Sequence, residues 1–252
     1  MSRSVRVSSY LICATPRSGS TLLCRLLRST RVAGRPESYF RVPDEQTWAD
    51  RWQLQRDTSG GFDYPDYVRA ALAAGSTENG VFGARIMWGT LDEMVARLGA
   101  ARPALAGSDL DLLTGAFGPL RFVHLWREDI LAQAVSWARA EQTNYWHPGD
   151  PTAPGPQPRF DYQQIRGLVE TIDAHNAAWR AWVAASGVRP HVVTYESLIA
   201  DPAGVTRGIL DFLGLALPDD QPIASRDQRQ ADEINADWTA RYRAIAEAST
   251  AE

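Results

Sequence analysis

Apolar positions along the chain follow two rhythms. A short apolar run stands at "SYLICA" (residues 9–14), and further strand candidates, largely apolar, at "VFGARIMW" (81–88), "LRFVHLW" (120–126) and the head of "PHVVTYESL" (190–198). Runs of this length, closed by a turn residue or a change of period, read as buried strands. The spacing then lengthens to that of a helix. Leu22, Leu23, Leu26 and Leu27 recur at helical spacing from Ser20 onward, with Ser18 or Ser20 as the cap, and further helical patterns begin near Leu91 and Ile130. Strands alternating with helices predict an α/β fold with a mainly parallel central sheet flanked by helices.

Two longer helical patterns lie further on. Residues 161–186 place Ile165, Leu168, Val169, Ile172, Trp179 and Val183 on one face, and 229–245 read as a final amphipathic helix. Two stretches break the rhythm. Residues 41–80 are polar and less periodic despite their Trp and Tyr residues, and "HPGDPTAPGPQPRF" (147–160) is Pro-rich. Both read as insertions between core elements, where a plain surface loop or a substrate-covering lid would sit. At 252 residues without an internal repeat, the chain suits a single domain.

Charge and cysteine content narrow the field. A formal net charge of -4 argues against a general nucleic-acid binder, so any anionic ligand must be met by local arginines. Cys13 and Cys24 show no zinc-site or disulfide spacing and read as reduced, structural thiols. The N-terminal apolar run is too short for an export signal or a membrane span, and a cytoplasmic protein is expected.

The chemistry concentrates in "ATPRSGST", residues 14–21. Set on the phosphate-loop frame G-x-x-x-x-G-K-[ST], it keeps Gly19 and Thr21, but Ser20 stands where the lysine belongs. What remains still suits an anion. Gly19 permits close backbone approach, the following helix offers unpaired N–H groups at its positive end, and Arg17 supplies a cation from within the loop. Ser18, Gly19, Ser20 and Thr21 are the expected cradle. This resembles the phosphosulfate loop of sulfotransferases, which bind 3′-phosphoadenosine 5′-phosphosulfate and need no γ-phosphate clamp.

A second block, "LWREDILAQAVSWARA" (125–140), ends a strand at Arg127 and places Ser136 nine residues later on a helix. Sulfotransferases hold the donor's 3′-phosphate with an Arg and a Ser in this relation. "VVTYESLIADP" (192–202) resembles the Y-E-x-L segment of the same enzymes, with Tyr195 and Glu196 beside the nucleotide pocket. Together, "SGSTLLCRLLRSTRVAGRPESYF", "GARIMW", "QAVSWARAEQT" and "RQADEINADWTARYR" are similar to the bacterial trehalose 2-sulfotransferase family over roughly residues 8–245.

That resemblance implies a P-loop-like sulfotransferase fold and transfer of a sulfuryl group to a hydroxyl of a sugar or similar small molecule. It implies no metal, a homodimer, and an Arg229 contact to donor phosphate with Trp238 in the closing tail. In-line transfer needs cations on the leaving phosphate, a role for Arg17, and a base for the acceptor's proton. The family's base is a Glu in G-x-P-x-E-x-F. Here the block is "GRPESYF", so Ser38 holds that position and Glu37 stands one residue early. Glu37 is the first candidate base and His124 the second, while Ser38, Arg85 and Trp88 are expected on the acceptor side. Two other readings stay open at this point: a Mg²⁺-dependent nucleotide kinase or hydrolase with a degenerate loop, and a non-catalytic nucleotide-binding protein.

Overall fold

The structure, a computed structural model, describes residues 9–101, 107–146, 157–218, 221–224 and 233–250. Among these residues four strands, β1 (Ser9–Ala14), β2 (Phe82–Met87), β3 (Leu120–Trp126) and β4 (His191–Thr194), pair in parallel in the order β2-β1-β3-β4. β1 is buried along its whole length, which is why its sequence is an unbroken apolar run rather than an alternating one.

Alternate residues feed two cores. Leu11, Cys13, Phe82, Ala84, Ile86 and Phe122 point to one face, where Trp179 and Phe117 join them. Tyr10, Ile12, Ala14, Val123, Leu125 and Val193 point to the other, against Leu23, Leu27, Leu198 and Ile209. The second face is covered by α1 (Ser20–Ser29), α8 (Tyr195–Ala200) and α9 (Pro202–Leu213). The first is covered by α2 (Val42–Arg51), α3 (Tyr64–Gly75), α4 (Trp88–Ala101), α5 (Asp109–Phe117) and α7 (Tyr162–Ser186). A third cluster joins α6 (Ile130–Thr143) and α7 to α10 (Glu233–Thr250) through Val135, Ala138, Ile165, Ile172 and Trp238.

The parallel α/β expectation holds, and one sequence expectation is corrected. Residues 41–80 are not an insertion lying over the surface. They carry α2 and α3, whose Ala49, Tyr67, Val68 and Ala71 are buried in the first core, with Trp48 and Trp52 stacked at 5.4 Å. Their polar average conceals a narrow apolar stripe on each helix. The final helix starts at Glu233, and the expected residues 229–232, like most of the Pro-rich 147–160 stretch, lie outside the described residues.

Candidate active site

Because the chain steps from β1 to β2 on one side and then crosses from β2 to β3 on the other side of β1, a crevice opens at the C-terminal ends of these strands, the place where parallel α/β sheets bind ligands. It holds a cleft of about 1650 Å³. Its floor is the β1–α1 loop, contributing Pro16, Arg17, Gly19, Ser20 and Thr21.

The loop's shape follows from local contacts. Ser18, fully buried, donates its hydroxyl to the Thr15 carbonyl at 2.7 Å. Gln133 of α6, also fully buried, donates from Nε2 to Thr15 Oγ1 at 2.8 Å and to the Pro16 carbonyl at 2.6 Å. Gly19 caps α1 at φ 88°, a left-handed conformation that glycine adopts without strain. A Cβ there would stand 2.6 Å from the Tyr195 ring, so both backbone angle and space require glycine. α1 begins directly after Gly19, where the first N–H groups of a helix lack intrahelical acceptors.

Arg17 lies at φ 63° and donates from Nε to Ser136 Oγ at 3.0 Å. It also donates to the Trp146 carbonyl. Arg127, at the end of β3, lies over the Tyr195 ring with its guanidinium carbon 4.4 Å from the centroid. Arg127, Ser136 and Tyr195 all line the cleft. Glu196 instead accepts from the backbone N–H groups of Glu128 and Asp129 at 3.1 and 3.4 Å, which fixes the β3–α6 turn.

Arg85, on β2, bridges the loop to the opposite wall. It donates to Ser38 Oγ at 2.9 Å, Thr21 Oγ1 at 2.8 Å and Ser20 Oγ at 3.3 Å. Arg41, Asp44, Met87 and Thr90 continue that wall. The third side comes from α6 and α10, where Asn235, Ala236, Thr239, Ala240 and Arg243 form one helical stripe facing Trp137, Glu141 and Trp146.

The sequence-predicted residues thus divide. Arg17, Gly19, Ser20, Thr21, Ser38, Arg85, Arg127 and Ser136 converge on one cleft, and Ser18 supports it from beneath. Glu37 is not brought to the cleft lining, and its carboxylate pairs with Arg28. Trp88 packs edge-on against the buried Trp179, centroids 5.1 Å apart, within the first core. His124 is also core, with its ring 6.5 Å from that of Trp179, and burial together with Arg180 holds its pKa below the usual histidine value. Arg229 lies outside the described residues. Burial raises both thiols, Cys24 to about 12, which leaves them unreactive.

Sequence reading missed Arg41, Asp44, Trp137, Trp146 and Arg243. The first two were masked by reading 41–80 as an insertion. The starts of α2 and α3 were nevertheless visible: Pro43 followed by Asp44 and Glu45, and Asp63 before Pro65, are helix-opening signals.

The β1–α1 loop and the Arg127–Ser136 side meet at the C-terminal edge of a parallel sheet, the layout of P-loop-like α/β proteins. Residues 9–245 match the Stf0 sulphotransferase family. The chain is 33% identical to a trehalose 2-sulfotransferase of Mycobacterium tuberculosis, covering 98% of this chain and 97% of that protein. It is 31% identical to a trehalose 2-sulfotransferase of Mycolicibacterium smegmatis, covering 94% of each. A solved sulfotransferase from Alicyclobacillus acidocaldarius superposes with a TM-score of 0.47 at 14% identity, covering 95% of this chain and 92% of that one. This chain belongs to the Stf0 sulphotransferase family and is a sulfotransferase.

Proposed function

We propose that the enzyme moves the sulfuryl group of 3′-phosphoadenosine 5′-phosphosulfate to a hydroxyl of a carbohydrate, releasing adenosine 3′,5′-bisphosphate and a sulfate ester. The observation that carries this reading is the convergence of two anion-holding elements on one cleft: the β1–α1 loop with Arg17, and the β3–α6 pair Arg127 and Ser136. A donor bearing phosphate groups at two ends of a nucleoside matches two such elements. The trehalose 2-sulfotransferase relatives support a sugar acceptor, and Trp137 and Trp146 beside polar side chains suit one.

In this reading the loop N–H groups and Arg17 take up charge developing on the leaving phosphate. Arg85, tied to loop hydroxyls on one side and Ser38 on the other, fixes the acceptor wall relative to the donor. The family resemblance extends the reading to a homodimer, which sedimentation of the purified protein tests. Incubation with the donor and a panel of sugars, with mass detection of sulfated product and of released bisphosphate, tests the activity. Stoichiometric formation of both is expected, and bisphosphate binding with no sulfated sugar would contradict it.

A further inference from the structure

Sulfuryl transfer to an alcohol releases a proton, and the structure does not bring the Glu37 carboxylate to the cleft. The reason is local. The Arg85 N–H donates to the Glu37 carbonyl at 2.9 Å, pinning this segment beside β2, so that Ser38 turns inward to Arg85 and Glu37 turns toward Arg28.

Among the described residues four acids line the cleft: Asp44, Asp129, Glu141 and Asp201. Asp129 accepts from the Ala132 N–H at 2.9 Å and Asp201 from the Gly204 N–H at 2.8 Å, so both carboxylates cap helices, next to the Arg127 and Tyr195 side. Glu141 accepts from Gln164 of α7 at 3.1 Å. Asp44 differs. It opens α2 on the wall formed by Ser38, Arg41 and Arg85, and Trp48 Nε1, one turn on, anchors that helix to the Ser38 carbonyl at 3.3 Å. Among the described residues its carboxylate pairs with Arg41 at 2.9 Å, and its side chain is 40% exposed.

We propose that Asp44 is the general base of the reaction, with Arg41 orienting its carboxylate. This rests on the sulfuryl-transfer reading above. The acceptor hydroxyl gives its proton to an Asp44 oxygen as its own oxygen bonds to sulfur, and the bond from sulfur to the phosphate oxygen breaks. The electron pair leaves with adenosine 3′,5′-bisphosphate, and Asp44 later returns the proton to solvent.

The test is Asp44→Asn and Asp44→Glu, each measured for bisphosphate affinity by calorimetry and for sulfated-sugar turnover with saturating donor. Asp44→Asn should keep bisphosphate affinity, which also reports an intact fold, and lose about 100-fold or more in turnover, with KM for the sugar little changed. Asp44→Glu should recover part of that loss. Wild-type turnover in Asp44→Asn, or a loss found instead in Glu37→Gln, overturns the assignment. A wild-type protein that binds no bisphosphate, or binds it and sulfates no sugar, overturns the function itself and this role with it.

Discussion

Arg17 and Ser136, 119 positions apart in the chain, are joined by a hydrogen bond from the guanidinium Nε to the hydroxyl at 3.0 Å. One residue belongs to the β1–α1 loop and the other to α6 after β3, so the contact ties together the two elements proposed to hold the donor. Arg17→Ala should therefore weaken adenosine 3′,5′-bisphosphate binding by about 1.5–3 kcal/mol, the usual worth of a hydrogen bond to a charged group. Arg127→Ala should lose a similar amount. Calorimetric titration measures both, and wild-type affinity in either variant removes that residue from the donor site.

Gly19→Ala should damage the loop twice. It forces a side chain into a left-handed backbone, at roughly 1–2 kcal/mol, and drives a methyl group into the Tyr195 ring. Reduced denaturation midpoint and lost bisphosphate binding are expected. Adding Tyr195→Ala should restore part of the stability, since the clash is relieved while the backbone strain stays.

Gln133→Ala tests how the loop is held. The buried amide holds Thr15 and Pro16, and its removal leaves a hydroxyl and a carbonyl without that donor, at about 1–3 kcal/mol of stability. Bisphosphate affinity should fall as well, because the loop then pays an ordering cost on binding. Loss of stability with unchanged affinity would show that the loop keeps its shape without Gln133.

Glu45 is 2% exposed and pairs with Arg97, and burial raises its pKa from 4.5 to about 7. The folded state thus binds more protons than the unfolded one between about pH 4.5 and 7. This stability is present at the acid end and is lost as pH rises through 7. His124, His175 and His191 have depressed pKa values and act in the opposite sense, favouring the fold above their unfolded pKa and costing stability on acidification. Glu45→Gln isolates one slope. Relative to wild type, its stability should gain on the order of 2–3 kcal/mol between pH 5 and 7.5, read from chemical denaturation at each pH. A pH-independent difference would contradict the burial argument.

Much of the fold was legible because the sheet is buried. β1 and β3 match their expected strand runs to the residue, and β2 lies one residue inside its run at each end, since strands covered on both faces are predominantly apolar. α2 and α3 were not legible from hydrophobic average, because each buries only a stripe. The β1–α1 side of the cleft was legible because loop geometry is written locally, in Gly19 and Arg17, and Ser38 and Arg85 were also expected at the cleft. Glu37 and Asp44 were not placed correctly. The inward turn of Ser38 and outward turn of Glu37 depend on a backbone bond to β2, 48 residues away by number, and Asp44 reaches the cleft only through the packing of α2.

The most direct test of the account is calorimetric titration of the purified protein with adenosine 3′,5′-bisphosphate, alongside ATP with Mg²⁺. Binding of the bisphosphate, with none of ATP, is the predicted result, because the loop lacks the lysine that grips β and γ phosphates while Arg127 and Ser136 line the cleft as the proposed second phosphate site. Magnesium-dependent ATP binding without bisphosphate binding would contradict it and assign the cleft to nucleoside triphosphate chemistry.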